Sequence, residues 1–376
     1  MLLPVFISPC CSSCGLKPRV SIVRVDKEDV DSAVRESVDL LGGIGKFVKP
    51  DGSYLLKPNL FTTRTPEQGA TTDMRIVLAL ADMIREAGSS PVVGECPAMA
   101  AYARPDIVFD GLGVKKLCEE AGVGLKVLDR DKPVKVENPN GKVSNVFWFP
   151  EYALRCDGII NVPKLKTHVL TTLTCAVKNL FGLQQGGSKA RHHVSTENDP
   201  ERFSQLLLDI YEAIRPQVRL NVVDAIVGME GEGPTTGDTV DLDLIVAGED
   251  AVAVDLVVSA IAGWDPFEVG TNYLAAKRGL GPSNFDQVEV VGLPLEEAVH
   301  PFKKPQSHQD GQPFIDIYMP IMCSEEKCVG CGVCASVCPG GAITVYGHPE
   351  FDKGRCIQCF CCIELCPHGA LRVVWK

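Results

Sequence analysis

No apolar run in this 376-residue sequence approaches the roughly 18 residues that a membrane-spanning helix needs. Positive charge is also scarce. Against 48 Asp and Glu stand 37 Lys and Arg, a net charge of −11. Nucleic acid and anionic membrane surfaces are held through Lys and Arg, so neither is an expected partner. The apolar start, Met1 to Pro9, has no basic leading segment and is too short for a secretory signal. Phosphate-loop motifs are missing as well. Neither GxxxxGK[ST] nor GxGxxG occurs in the early strand–helix units, which argues against a P-loop or dinucleotide site. The apolar fraction of 45% and charged fraction of 23% are ordinary for a folded protein. The length exceeds one ordinary core and points to two domains, one of them large.

Cysteine is in excess, with 17 in the chain. They crowd toward the C-terminus, where two runs repeat. The first is Cys328-x2-Cys331-x2-Cys334-x3-Cys338-Pro339 and the second is Cys356-x2-Cys359-x2-Cys362-x3-Cys366-Pro367. In this spacing three thiolates wrap one cluster and the fourth cysteine of each run ligates the other. Cys328, Cys331, Cys334 and Cys366 are therefore expected to hold one 4Fe–4S cluster. Cys338, Cys356, Cys359 and Cys362 are expected to hold a second. Zinc sites use four ligands in two pairs, which does not fit two such runs. Ligation needs free thiolates, so a reducing, cytoplasmic location is expected. Cys323 and Cys361 fall outside the ligand pattern, and Cys361 reads as an unligated thiol rather than a replacement ligand. For Cys10, Cys11 and Cys14 three readings stand open: a further metal site with Cys323, an unstructured tail, or translation from an over-early start.

From Val20 to about residue 292, apolar strand-like runs alternate with helical patterns. Tyr54-Leu-Leu56 reads as a strand ending at Lys57-Pro58-Asn59, and Thr72 or Asp73 caps a helix through Ala87. Strands follow at Pro91–Glu95, Leu125–Asp129, Gly158–Val162, Leu220–Asp224, Leu242–Ala247 and Val288–Val291. Such alternation predicts an α/β fold, a mainly parallel sheet with covering helices. A small C-terminal α+β ferredoxin-like module follows it. The expected division is a cysteine-bearing tail at 1–18, the α/β domain at 19–292, a Pro-rich linker at 293–318 and the module at 319–376. In such sheets the working residues gather at strand C-termini, here Asn59, Glu95, Lys164 and Asp224.

One stretch is poor in acid. Residues 161–195 hold no Asp or Glu but contain Lys164, Lys166, Lys178, Lys189, Arg191, His168, His192 and His193. A local field of that sign in an acidic protein suits an anionic ligand, although a solvated basic face would have the same composition. A helix at about 168–182 would carry Lys178 and Asn179, and Gly182 with Gly186-Gly187-Ser188-Lys189 would give a flexible loop whose N–H groups approach an anion. Lys57, Asn59, Lys164, Lys178, Asn179 and Arg191 are candidate anion binders. Lys166, His168 and His193 are candidate catalytic groups, with the histidines delivering protons near neutral pH. Thr71-Thr72-Asp73 either caps a helix or meets an anion there, and Cys96 reads as inert. Asp224 and the loop Glu230-Gly-Glu-Gly-Pro234 read as turn chemistry, or as a general acid or metal ligand. Asp255, in the apolar run Val252–Ile261, needs a partner: a helix start to cap or a ligand to hold.

Six segments together resemble the domain-of-unknown-function 362 family. They are Leu56-Lys-Pro-Asn59, Gly69-Ala-Thr-Thr-Asp73, Asp157 to His168, Ala176-Val-Lys-Asn-Leu-Phe-Gly182, Met229 to Pro234 and Asp250 to Asp255. The cysteine-bearing tail departs from that pattern. The resemblance implies an iron–sulfur protein and supplies no reaction. Three functions follow as expectations. The first is an oxidoreductase that passes electrons from the clusters to a small anionic substrate. The second is an electron carrier serving a redox partner protein. The third is a ligase, racemase or maturation factor with structural clusters.

Overall fold

The computed structural model describes residues 17–97, 106–197, 199–308 and 320–374. Among the described residues sixteen strands run in chain order: β1 (Arg19–Arg24), β2 (Ser53–Pro58), β3 (Ser90–Glu95), β4 (Gly124–Val127), β5 (Pro133–Glu137), β6 (Val146–Pro150), β7 (Gly158–Val162) and β8 (Lys164–His168). They continue as β9 (Thr172–Thr174), β10 (Val218–Glu230), β11 (Asp238–Gly248), β12 (Glu289–Gly292), β13 (Ile321–Cys323), β14 (Ile343–Tyr346), β15 (His348–Phe351) and β16 (Leu371–Val373). Ten form one sheet, ordered β12-β1-β11-β10-β7-β2-β3-β4, with β8 against β10 and β9 against β8. The sheet is mostly parallel. Only β1–β11, β10–β11 and β8–β9 run antiparallel within it. β5 and β6 make a separate hairpin.

Both faces of the sheet are covered, so the central strands read as continuous apolar runs. In β2, Leu55 packs into one core and Leu56 into the other, as side-chain alternation requires. Helices Val30–Asp39 and Met74–Glu86 cover the Leu56 face. Helices Pro200–Ile214 and Ala251–Ile261 cover the other. Asp73 starts the Met74–Glu86 helix by accepting from Arg75 N, and Ile76, Val77, Leu80 and Ile84 turn one stripe inward. Burying each of those side chains contributes about 1.5–3 kcal/mol.

Three sequence expectations change. The helix expected from residue 168 starts only at Ala176, because β8 and β9 form a hairpin there. Thr167, Thr171, Thr172 and Thr174 supply β-branched side chains that favour strand over helix. The glycine loop is shorter than expected, since helix Ser188–Ser195 follows Gly187 at once. The first part of the expected linker also folds onto the sheet domain. Helix Leu295–Ala298 packs there, and Phe302 is buried against Trp264, whose Nε1 donates to the Phe302 carbonyl at 3.1 Å. Residues 309–318 lie outside the described residues, as does the segment holding Cys10, Cys11 and Cys14.

The cysteine module repeats in three dimensions. Left-handed backbone occurs at Gly330, Gly332 and Gly341 in the first half and at Gln358, Phe360 and Gly369 in the second. Short helices Val333–Ser336 and Cys361–Glu364 carry the third cysteine of each run, Cys334 and Cys362. The module's core includes Phe360, Ile363 and Leu371, and takes in Val169 and Phe61 of the sheet domain.

Candidate functional site

The carboxyl ends of β2, β3 and β7 meet at one rim of the sheet. Lys57 ends β2 and is fully buried. Its Nζ donates to both Glu95 oxygens, at 3.0 and 2.8 Å, and to the Pro58 carbonyl at 3.0 Å. Gly182 lies over this pair. A Cβ at Gly182 would sit 2.6 Å from Lys57 Nζ, so the closing residue of the Val-Lys-Asn-Leu-Phe-Gly segment must lack a side chain. Lys164 makes a second sealed pair, with its Nζ 2.9 Å from Asp224 Oδ2, and Asp224 also accepts from Asp73 N and Ile226 N. The expectation that Lys57 and Lys164 bind a ligand anion is therefore corrected. Each neutralises a buried carboxylate of its own chain, which would otherwise be costly. Arg191 is corrected too. It bonds Ser188 Oγ and lines a separate surface cleft with Asp129 and Trp148. Asp224 and Glu230 likewise serve the fold, since Glu230 pairs with Lys303 at 3.0 Å.

Beyond the Lys57–Glu95 pair opens a cavity between the sheet domain and the cysteine module. Lys166, Lys178, Lys189, His168 and His193 line it, with Asn59, Asn179, Phe61 and Phe181. The module closes it with Cys361, Glu364 and Leu365. Asparagines fix the floor. Asn59 Nδ2 donates to Asn179 Oδ1 at 2.9 Å, and Asn179 Nδ2 donates to Asn161 Oδ1 at 2.8 Å. Asn161 Nδ2 in turn donates to Asn221 Oδ1 at 2.9 Å. Lys166 Nζ reaches Asn59 Oδ1 at 3.0 Å and the Ala70 carbonyl at 2.6 Å, and lies 4.0 Å from the Phe61 ring centroid. Among the described residues no carboxylate forms an ion pair with it. Burial and the nearby Lys178 charge drive its pKa well below the ordinary lysine value. Burial lowers the Lys178 pKa as well, against the pull of Glu364.

Helix Ala176–Asn179, which carries Lys178 and Asn179, has its start held by Asp255. That carboxylate accepts from Ala176 N at 2.7 Å and Val177 N at 3.1 Å. Of the two readings of Asp255, the structure shows the helix start.

The two cavity histidines are neutral at physiological pH. Burial, reinforced for His168 by the Lys178 charge, lowers its pKa to about 4. Burial also lowers His193 to about 4, although Glu364 acts in the other direction. His168 Nδ1 accepts from Leu170 N at 3.0 Å, which leaves the proton on Nε2. That Nε2 faces Glu364 Oε1 at 3.3 Å, within ion-pair reach but not aligned as a hydrogen bond. His193 stacks on Phe203 with ring centroids 4.7 Å apart, and its buried Nδ1 has no hydrogen-bond partner. Both rings therefore enter a reaction as neutral imidazoles, not as the imidazolium acids expected from the sequence. Cys96 lines the cavity as a buried thiol with its pKa pushed up by burial. Glu364, Cys361, Phe61 and Phe181 are the site residues that sequence reasoning missed. The one available signal was Glu364, a carboxylate inside the second cysteine run where the first run has Ser336.

Cys328, Cys331, Cys334 and Cys366, the first expected ligand set, line one cavity whose remaining walls include Val329, Val345 and Leu371. The Cys362 thiol is raised by burial and by the neighbouring Cys359, Cys356, Cys338 and Cys334. Backbone N–H groups already point at sulfur, Ala342 N to Cys338 Sγ at 3.2 Å and Ala370 N to Cys366 Sγ at 3.3 Å. These residues fit iron–sulfur clusters. Potential ligand atoms of Cys323, Cys328 and His348 lie within 4.8 Å of one another, which puts Cys323 beside the first set.

Residues 55–260, over half of the chain, match the family model described as "Domain of unknown function (DUF362)". The chain belongs to the DUF362 family. Residues 327–370 match a "4Fe-4S dicluster domain", and the module is an iron–sulfur module. A relative is Thylakoid-associated protein sll1697 of Synechocystis sp., 32% identical over 296 residues, covering 76% of this chain and 88% of the relative. Among the described residues no helix is long and apolar enough to cross a membrane. A solved structure, the lactate racemase apoprotein from Thermoanaerobacterium thermosaccharolyticum, aligns with a TM-score of 0.42 at 12% identity. The match covers 63% of this chain and 54% of that one.

Proposed function

We propose that this DUF362 protein is an iron–sulfur oxidoreductase. In this reading two 4Fe–4S clusters relay electrons, one at a time, from a redox partner protein to a small anionic substrate in the cavity. One observation carries it. The residues that close the cavity, Cys361, Glu364 and Leu365, are interleaved with the cluster ligands Cys359, Cys362 and Cys366, and they face Lys166, Lys178 and His168. Clusters held there would supply one-electron transfer at the cavity wall. Each of this chain's own groups has a task. Lys178 and Lys189 supply positive charge for a carboxylate or phosphate. Phe61 and Phe181 exclude water, which strengthens those interactions. His168 Nε2–H, on a neutral ring, can donate a hydrogen bond to a group that gains negative charge on reduction.

Two measurements test this in order. Anaerobic iron and sulfide analysis with low-temperature EPR after dithionite reduction should give about eight irons and two interacting clusters. Dithionite-reduced protein should then be reoxidised by some member of a panel of small carboxylates and phosphates. Lys178→Gln should lower the apparent affinity for that compound by about tenfold, with unchanged iron content. Turnover that is indifferent to Lys178→Gln sinks the cavity as the substrate site. About four irons or fewer sinks the relay.

A further inference from the structure

Arg64 lies in the loop after β2, and its carbonyl accepts from Thr71 Oγ1 at 2.7 Å. Its guanidinium leaves the sheet domain and packs on the cysteine module. A Cβ on Gly369 would lie 2.3 Å from Arg64 Nη2, so the approach depends on the missing side chain of Gly369, whose φ is +57°. Arg64 Nε is sealed from solvent with no hydrogen-bond partner. No hydrogen bond or ion pair among the described residues reaches the guanidinium. Lys57, Lys164 and Arg278, by contrast, are each paired with a carboxylate. Arg64 is half-buried, and a cation partly withdrawn from water without a counterion carries a desolvation cost. The charge that bears on Arg64 is the Cys366 sulfur, one of the four that line the first cysteine cavity.

We propose that Arg64 is the sheet domain's countercharge for the cluster held by Cys328, Cys331, Cys334 and Cys366, and that it raises the electron affinity of this cluster selectively. This rests on the two-cluster reading above. Four thiolates around an oxidised core leave a net negative charge, and uptake of one electron from a low-potential donor adds another, with no bond made or broken. Arg64 therefore favours the reduced state. By linkage, reduction holds the module against the sheet domain by the same factor, which ties closure of the cavity to electron loading.

The test is an anaerobic EPR-monitored redox titration of the full chain as wild type, Arg64→Gln and Arg64→Lys, with Cys331→Ser to assign signals. Arg64→Gln should weaken electron binding at the first cluster about tenfold, near 59 mV for one electron, and at the other less than about twofold. Arg64→Lys keeps the charge and should stay within about threefold of wild type. If Arg64→Lys shifts as far as Arg64→Gln, or if neither variant moves either cluster, the proposal is overturned. If Arg64→Gln sheds the first cluster, Arg64→Lys decides alone: retention at near wild-type affinity supports the proposal and loss overturns it. A wild type with about four irons defeats the two-cluster reading instead, and iron analysis separates that outcome.

Discussion

Replacing Asp255 by Asn should change the pH dependence of stability in a direction that its burial fixes. Asp255 is 3% exposed in helix Ala251–Ile261 and holds the start of the helix that presents Lys178. Burial raises its pKa from 3.8 to about 7, against the two backbone N–H groups that favour the carboxylate. A raised carboxyl pKa means that the folded state binds more protons than the unfolded state between pH 4 and 7. Stability is therefore lost as pH rises through that window. The difference of about 3 units is worth about 4 kcal/mol at most, and about 3 kcal/mol between pH 5 and 7.5. The buried histidines act in the opposite direction, because their folded pKa values near 4 lie below the unfolded value. They cancel in the difference between wild type and Asp255→Asn. Asn cannot ionise, but it accepts only one of the two N–H groups well, which costs about 1–3 kcal/mol at every pH. Anaerobic urea unfolding of both proteins from pH 5 to 7.5, followed by far-UV circular dichroism, measures this. Asp255→Asn should be the less stable protein at pH 5 and should gain about 3 kcal/mol relative to wild type by pH 7.5. Parallel curves would refute the reasoning, because they would mean that the carboxylate is not held at an electrostatic cost.

Two further outcomes follow from the ion pair and the crossover ligation. Glu95→Gln leaves Lys57 charged, fully buried and without its carboxylate, and should cost about 3–5 kcal/mol. In a domain of this size that lowers the melting temperature by roughly 6–20 °C, and a shift under 2 °C in a thermal scan would contradict the pair's role. Cys338→Ser should remove the cluster held with Cys356, Cys359 and Cys362 while the first set keeps its own, halving iron content to about four. Loss confined to the first cluster's EPR signal would overturn the crossover assignment.

Local chemistry was legible in the sequence wherever spacing along the chain was the deciding variable. Asp73 reads as a cap because its carboxylate is two residues from the N–H it accepts. The ligand sets follow from thiolate spacing, and the mainly parallel sheet follows from alternating short apolar runs. The cationic stretch was visible as composition, yet its division was not. Lys57 and Lys164 bear the same side chain as Lys178. Only the tertiary structure brings Glu95 from β3 and Asp224 from β10 onto the first two and leaves Lys178 facing the cavity. The helix expected from residue 168 failed for a related reason. Helical spacing was present, but the β10 edge was available to pair with Lys164–His168, and a run of threonines fits a sheet. Glu364 and Arg64 could not be placed from sequence, because each acts across the boundary between the sheet domain and the module. The sequence by itself determined which groups exist, their local spacing and therefore the iron–sulfur ligation. Burial and charge pairing act over ångströms in space rather than residues along the chain. For that reason only the tertiary structure decided which cations are neutralised, which histidines are held neutral and where the module closes the cavity.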